Sequence, residues 1–385
     1  MTLHPPASYQ KFRSGHSPCR EVTRGTHSVH PVHYGIPDLS CRKAIFWTLE
    51  EEIPYMTLTR RTFAHLALAA FTALAATPIF AQETYALKFG HTGAPDHHFQ
   101  KISEKFAALV AERTNNNVKI EVFPSDSLGK QMELVEGAFF GTTDMVLTSD
   151  AVLSNFVPEV GIINLPFIFP DSDHVRNVLD GEIGNQLGRK IEEQGAVLVG
   201  WWENGFRHIT NSKKPIEKPA DLSGVKLRVP EGPIFVDTFT TLGANATPIA
   251  FTELYSALQL GVVDGQENPP AHILTQKFYE VQDYVSRTGH IYLSSPVLIS
   301  RAAFDKLPEN YRQVILDTGR ELAAEHTQMV LAAEDAQWAE IEAKGMKIND
   351  VEKAPFVEAT RSVIEKYREQ FGPEIIDAIE QAAKK

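Results

Sequence analysis

"TYALKFGHTGAPDHHFQKISEKFAALVAERTNNNVKIEVFPSDSLGKQMELVEGAFFGTTDMVLTS", residues 84–149, decides the fold. At its start Tyr85, Leu87 and Phe89 occur at every second position, the period of a half-buried strand. Asp96 can then cap a helix whose apolar residues Phe99, Ile102, Phe106, Leu109 and Val110 fall on one face. "NVKIEVFP" (117–124) reads as a second strand. In "LGKQMELVEGAFFG" (128–141), Met132, Val135 and Phe139 share a helical face, and Gly141 can take the left-handed conformation that stops the helix. "TDMVLTS" (143–149) is a short apolar strand. The order β-α-β-α-β over about 65 residues implies a parallel, doubly wound sheet, because parallel neighbours need a crossover and the helices supply it.

Downstream, "INLPFIFPD" (163–171) is a proline-bracketed loop, and a helix is expected over 173–194. "AVLVGWWEN" (196–204) and "FRHITNS" (206–212) are strands, and "VKLRVP" (225–230) opens a second set of βα units that runs through "TELYSALQLGVVDGQENPP" (252–270). "HIYLSSPVLIS" (290–300) is a strand long enough to pass between two lobes. Residues 308–344 read as one or two long helices with only Gly319 to interrupt. A further helix covers 355–371, and a short one starts at Pro373. No internal repeat and no low-complexity linker is seen after residue 82. Two βα sets with several crossings between them point to two α/β lobes around a hinge. Ligands in such folds sit at the carboxyl ends of strands and between domains.

With 43% hydrophobic and 22% charged residues in 385, the composition is that of a globular chain long enough for two cores. Both cysteines, Cys19 and Cys41, lie near the N-terminus, so the main body can hold neither a zinc–cysteine cluster nor a cysteine nucleophile. "MTLTRRTFAHLALAAFTALAATPIFAQ" (56–82) has a basic start at Arg60 and Arg61, an apolar run over 66–76, and small Ala81 before Gln82. This is the pattern of a secretory signal peptide over 56–81, cleaved after Ala81, and it implies a periplasmic protein. "TRRTF" also resembles a twin-arginine signal, so both export routes stay open. A membrane anchor is the weaker alternative, because the run is short for a spanning helix. Translation is expected to start at Met56, with residues 1–55 an upstream over-call; a disordered leader is the alternative. Residues 82–385 carry a net charge of −15 against −12 for the whole chain, because residues 1–81 hold 8 basic and 5 acidic side chains. No basic run suggests nucleic acid. An anionic ligand must therefore be held by local positive charge.

The sequence contains no G-x-S-x-G, H-E-x-x-H, P-loop or G-x-G-x-x-G. His97 and His98 are adjacent, so they do not share a helical face and make a poor metal pair; capping or surface roles are expected. No pair of carboxylates stands out as an acid/base couple. No metal and no cofactor is expected. What remains is recognition chemistry. Val225, Leu227 and Val229 alternate with Lys226 and Arg228, and Pro230 ends the strand. Alternation alone makes Arg228 a surface charge, but its place at a carboxyl end moves it toward a cleft. Arg207 follows a glycine in "NGFRHITN", and Asn268 sits between an Asp-Gly turn and a proline. An arginine fork matches a carboxylate bidentately, and an Asn amide can complete the acceptor sites. Phe251 is either a ligand-facing ring or ordinary core.

"GFRHITNS", "DLSGVKLRVPE", "LGANATPIAFTELYSALQLGVVDGQENPP" and "QKFYEVQDYV", with "LKFGH", "SDSLGKQMELVEGAFFGTTDM" and "LPFIFPD", together resemble the DctP-type substrate-binding proteins of TRAP (tripartite ATP-independent periplasmic) transporters over essentially all of 84–385. The resemblance implies a two-lobed α/β venus-flytrap fold with a long helix spanning both lobes. One lobe would comprise 82–205 plus 294–333, the other 206–293 plus 334–385, with hinges near 205–207 and 292–296. It implies a solute-binding component, not an enzyme, that captures an organic acid (a C4-dicarboxylate, a sugar acid or a similar carboxylate). The acid would pass to the small and large permease subunits in the membrane. Arg228 would clamp the carboxylate, Arg207 would be a second cation there, Asn268 a further partner, and Phe251 would touch the ligand's body. Thr92, Gln131, Ser149 and Glu231 would line the variable part of the pocket, and Glu231 would suit a hydroxylated ligand or pair with Arg207. The alternatives are a sensory periplasmic binding protein and a periplasmic enzyme acting on sugar acids.

Overall fold

The computed structural model of the chain describes residues 83–382. The expected leader and signal peptide, with Cys19, Cys41 and the cleavage after Ala81, lie outside them. The first βα set is as read: β1 (Tyr85–His91), α1 (His98–Arg113), β2 (Val118–Phe123), α2 (Gln131–Phe140) and β3 (Met145–Leu147). Phe99, Ile102, Phe106 and Val110 bury the inner face of α1. Its cap is His97 rather than Asp96: the His97 ring accepts from the Phe99 amide at 3.1 Å, while Asp96 is exposed one residue too early. Strands β2, β1 and β3 pair in parallel. After α3 (Asp150–Leu153), α4 (Ser172–Leu179) and α5 (Glu182–Glu193), the long strand β4 (Ala196–Phe206) leaves this sheet for the second lobe.

The second lobe contains β5 (His208–Asn211), β6 (Lys226–Val229), α6 (Pro233–Thr241), β7 (Asn245–Pro248), α7 (Leu254–Gln259), β8 (Gly265–Asn268), α8 (Pro270–Thr275) and β9 (Tyr284–Arg287). Strand β10 (Tyr292–Ser300) then returns to the first lobe, and α9 (Arg301–Phe304) follows it. The sheets have the orders β2-β1-β3-β10-β4 and β11-β9-β5-β8-β6-β7, where β11 is Lys347–Asp350. Their shared plan shows a repeat that the sequence analysis does not find. Both contain a parallel trio (β2-β1-β3 and β7-β6-β8) flanked by a strand that runs antiparallel to it. The trio's connections match in detail. Gly141 and Gly261 close α2 and α7 at φ 79° and 69°. Three residues later Asp144 and Asp264 accept from the amides of Lys88 and Lys226, at 3.0 and 3.1 Å.

Residues Glu309–Ala343 form one continuous helix, α10, about 50 Å long by the 1.5 Å rise per residue. Gly319 does not interrupt it. A Cβ there would lie 2.3 Å from Val199 Cγ1, so glycine lets the helix rest directly on β4. The Gly319 carbonyl also accepts from Trp202 Nε1 at 2.9 Å. Upstream, Ile315 and Leu322 join Phe89, Phe106 and Trp202 in the first lobe's core. Downstream, Trp338 and Ile341 join Leu254, Val263 and Phe278 in the second. One helix therefore belongs to both cores. Helix α11 (Lys353–Phe371) packs on α6, and Tyr367 donates to Asp237 at 2.6 Å. The last helix, α12 (Pro373–Ala382), departs from the expected grouping of 334–385 with the second lobe. Ile376 and Ile379 bury against α4 and α5 of the first lobe, and His174 bonds to the Ile379 carbonyl at 2.6 Å. Its apolar stripe needs a partner surface, and that pair of helices provides one.

Candidate functional site

The carboxyl ends of β1, β3, β6 and β8 converge on one cavity of about 30 Å³ between the lobes. Thr92, Gln131 and Ser149 line it from the first lobe. Arg228, Glu231, Phe251 and Asn268 line it from the second, and Arg207 from the junction of β4 and β5. The structure thus brings all eight sequence-named residues to one place. Asn204 and His272 also line the cavity and are not named by the sequence reading.

Leu227 and Val229 enter the second lobe's core, which turns Arg228 to the other face of β6. Its side chain is 2% exposed. Nε and Nη2 donate to the Ile249 carbonyl just beyond β7, at 2.9 and 2.7 Å, and this pins one edge of the guanidinium. The Phe251 ring lies 5.9 Å from the Arg228 Cζ, so Phe251 sits against the cation. Burial pushes the arginine's pKa down to about 9; Glu267 opposes the shift and Arg207 adds to it. At neutral pH it remains a desolvated cation.

Arg207 is differently placed. Its Nε and Nη2 donate to the Glu267 carboxylate at 2.6 and 2.8 Å, a bidentate pair that is 2% and 0% exposed. Glu231 is not its partner. Burial would raise the pKa of Glu267, but the charge and hydrogen bonds of Arg207, with His290 Nε2 at 3.1 Å, outweigh it and hold the carboxyl below its ordinary value. The pair is neutral as a unit. Among the described residues that line the cavity, Arg228 is therefore the one cation without an acidic partner.

The amides are fixed by local bonds. Asn268 gives one N–H of Nδ2 to Gln266 Oε1 at 2.5 Å; Gln266 in turn donates to Thr210, and Thr210 to Gln282. The second N–H of Asn268 is left for another acceptor. Gln131 opens α2, and its Oε1 accepts from Thr148 Oγ1 and the Ser149 amide at 3.1 and 2.9 Å, which leaves its NH₂ to donate. Ser149 caps α3. The cavity therefore offers donors on several sides, while Glu231 contributes a carboxylate.

The two adjacent histidines start a buried cluster. His98 is buried, not on the surface, and its Nδ1 lies 2.6 Å from His326 Nε2 of α10. The Glu203 amide donates to His326 Nδ1, so His326 is the donor to His98. His97 stacks on His272 across the lobes at 4.4 Å. Among the described residues no group of three His, Cys, Asp or Glu is arranged to hold a metal.

Burial lowers His91 to about 4, His272 and His326 to about 3, and His97, His98 and His208 well below the ordinary value. Below pH 6.5 the unfolded chain binds protons that the folded chain refuses, so the stability these six supply falls as pH drops toward 3–4. Burial also raises Asp126 and Glu203 to about 7 and Asp150 to about 6, and these three gain stability as pH falls from 7 toward about 4. The histidines are more numerous and their window extends lower. The thermal midpoint is expected to decline steadily from pH 6 to pH 4. A flat or rising midpoint over that range would show that the histidines do not control it.

The family profile described as DctP, bacterial extracellular solute-binding protein, family 7, matches residues 89–370. A TRAP periplasmic solute-binding protein from Polaromonas sp. JS666, solved bound to D-erythronate, is 38% identical with a TM-score of 0.75, covering 77% of this chain and 98% of its own. The sugar acid binding protein DctPAm from Advenella mimigardefordensis strain DPN7T, solved in complex with galactonate, is 32% identical with a TM-score of 0.76, covering 78% and 98%. The C4-dicarboxylate-binding periplasmic protein DctP of Rhodobacter capsulatus is 33% identical over 334 residues, 84% of this chain and 99% of its own.

Proposed function

The chain belongs to family 7 of the bacterial extracellular solute-binding proteins, the DctP family of TRAP transporters, and from that premise we propose that it captures a hydroxylated monocarboxylic acid by its carboxylate on Arg228. The observation that carries this reading is the state of the two arginines. Arg207 is already neutralised by Glu267, and Arg228 is buried with one edge pinned and no acidic partner. A ligand carboxylate would complete that second pair, with Asn268 as a further donor. Phe251 would pack on the ligand's body, and Thr92, Gln131 and Ser149 would reach its far end.

The choice of acid rests on Glu231. A second ligand carboxylate beside Glu231 would meet this like charge, whereas a hydroxyl would donate to it. The erythronate and galactonate bound by the two relatives are both hydroxylated monocarboxylates. Closure of the lobes over the acid desolvates the pair, so the closed form gains the differential affinity that drives the shift. In this reading the protein is exported to the periplasm with cleavage after Ala81, hands its ligand to the two permease subunits, and transforms nothing. Calorimetry of the purified protein against D-erythronate, D-galactonate and succinate tests it. One-to-one binding of at least one hydroxy acid is expected, about 100-fold tighter than succinate and with the acid recovered unchanged. Preferred binding of succinate, or turnover of the acid, would overturn the reading.

A further inference from the structure

Strand β4 pairs with β10 in antiparallel register that shifts at two places, one skipping Val199 and the other at the cavity. At the second, Leu293 opposes Gly205 and Ser294 opposes Glu203, so Asn204 is the extra residue of a β-bulge. A bulge re-aims one side chain out of the alternation of its strand. Gly205 sustains this one with φ 126°, a region that other residues rarely adopt. Asn204 lines the cavity and is 4% exposed. Its Nδ2 donates to Ser295 Oγ at 3.1 Å, while its Oδ1 is buried with no hydrogen-bond partner. Buried polar atoms are nearly always paired, so an unpaired acceptor on a ligand cavity marks a contact that the ligand makes.

We infer that Asn204 is a specificity residue whose Oδ1 accepts a hydrogen bond from a hydroxyl group of the bound acid. The inference rests on reading the cavity as an acid site and adds a residue and a direction of hydrogen bonding to it. Carboxylate oxygens only accept, so they cannot satisfy Asn204, and neither can a methylene. Ser295 holds the amide through Nδ2, which leaves the oxygen free to accept from a ligand in the cavity. A site built to bond a hydroxyl rejects the analogue that lacks it, because its own polar group is then left unpaired.

The test is calorimetry of wild type, Asn204→Ala and Asn204→Asp with D-erythronate, D-galactonate and their mono-deoxy analogues, with melting curves as the folding control. Wild type is expected to lose about 10- to 100-fold in affinity for one deoxy analogue of the acid it binds. Asn204→Ala should bind that analogue and its parent within about threefold of each other, with affinity for the analogue itself close to wild type. Asn204→Asp keeps an oxygen in place, so it should retain the preference while binding every acid more weakly through like-charge repulsion. An unchanged preference in Asn204→Ala, a preference lost in Asn204→Asp, or no discrimination by wild type would overturn the assignment while leaving the acid site standing. Wild type that binds neither parent acid overturns the acid site and the assignment together.

Discussion

Arg228→Ala is expected to abolish measurable binding of the acid, with a loss of about 3–5 kcal/mol, or more than 100-fold in affinity. The size follows from what is left behind. The ligand carboxylate would enter a cavity whose other arginine is committed to Glu267, so it would be buried with no free cation to meet it. Arg228→Lys should recover little. The guanidinium is asked to do two things at once: hold the Ile249 carbonyl with Nε and Nη2, and present its remaining N–H groups to the ligand. An ammonium is a point donor that can serve one of these partners with good geometry, not both. The fold should survive in both variants, because Arg228 shares no ion pair whose loss strands a buried acid; only the Ile249 carbonyl loses its donor. A melting midpoint near wild type together with absent binding is therefore the expected signature. Near-native affinity in Arg228→Ala would remove the assignment of this residue as the carboxylate clamp.

The contrast between the two arginines marks the limit of what the sequence discloses. Alternation in "VKLRV" places Arg228 on the face opposite Leu227 and Val229, and the following proline sets it at the strand's carboxyl end. That is local information, and it moves the residue from the surface toward a cleft. The partner of Arg207 is not local. Glu267 lies 60 positions away, in the middle of "GQEN", where a charged residue in a strand normally reads as solvent-facing. Only the position of β8, interior to its sheet between β5 and β6, buries both of its faces. Asn204 is hidden for another reason. A bulge depends on the register between two strands about 90 residues apart, and "WWENGF" carries no mark of it beyond a glycine. The histidines show a third case. Adjacency counts against a metal pair, but it does not reveal that α10 brings His326 to His98 from 228 positions away. The repeated β-α-β plan is obscured because its echoes are single residues: a closing glycine and an aspartate three positions on.

Glu267→Ala is expected to be the most destabilising single change at the site, costing about 3–5 kcal/mol of folding stability. The variant leaves the Arg207 guanidinium at 2% exposure with no counter-charge, and it removes the partner of His290 as well. Against a typical total of about 5–15 kcal/mol, such a loss takes a large share of the whole. A fall of about 5–8 °C in the thermal midpoint is the expected reading for a chain of this size. Glu267→Gln separates shape from charge. Its amide oxygen can still accept from Arg207, so it should fold better than the alanine variant while leaving Arg207 with a charge to spare. The cavity then gains one net positive charge. Affinity for succinate should rise relative to a hydroxylated monocarboxylate, because a second anionic group now has a cation to meet. Glu267→Ala that unfolds within 1 kcal/mol of wild type would show that water reaches Arg207. Glu267→Gln that leaves the ratio of the two acids unchanged would show that the pair contributes only to folding. Both outcomes turn on the same pair: the buried Glu267 carboxylate has already claimed one of the two arginines.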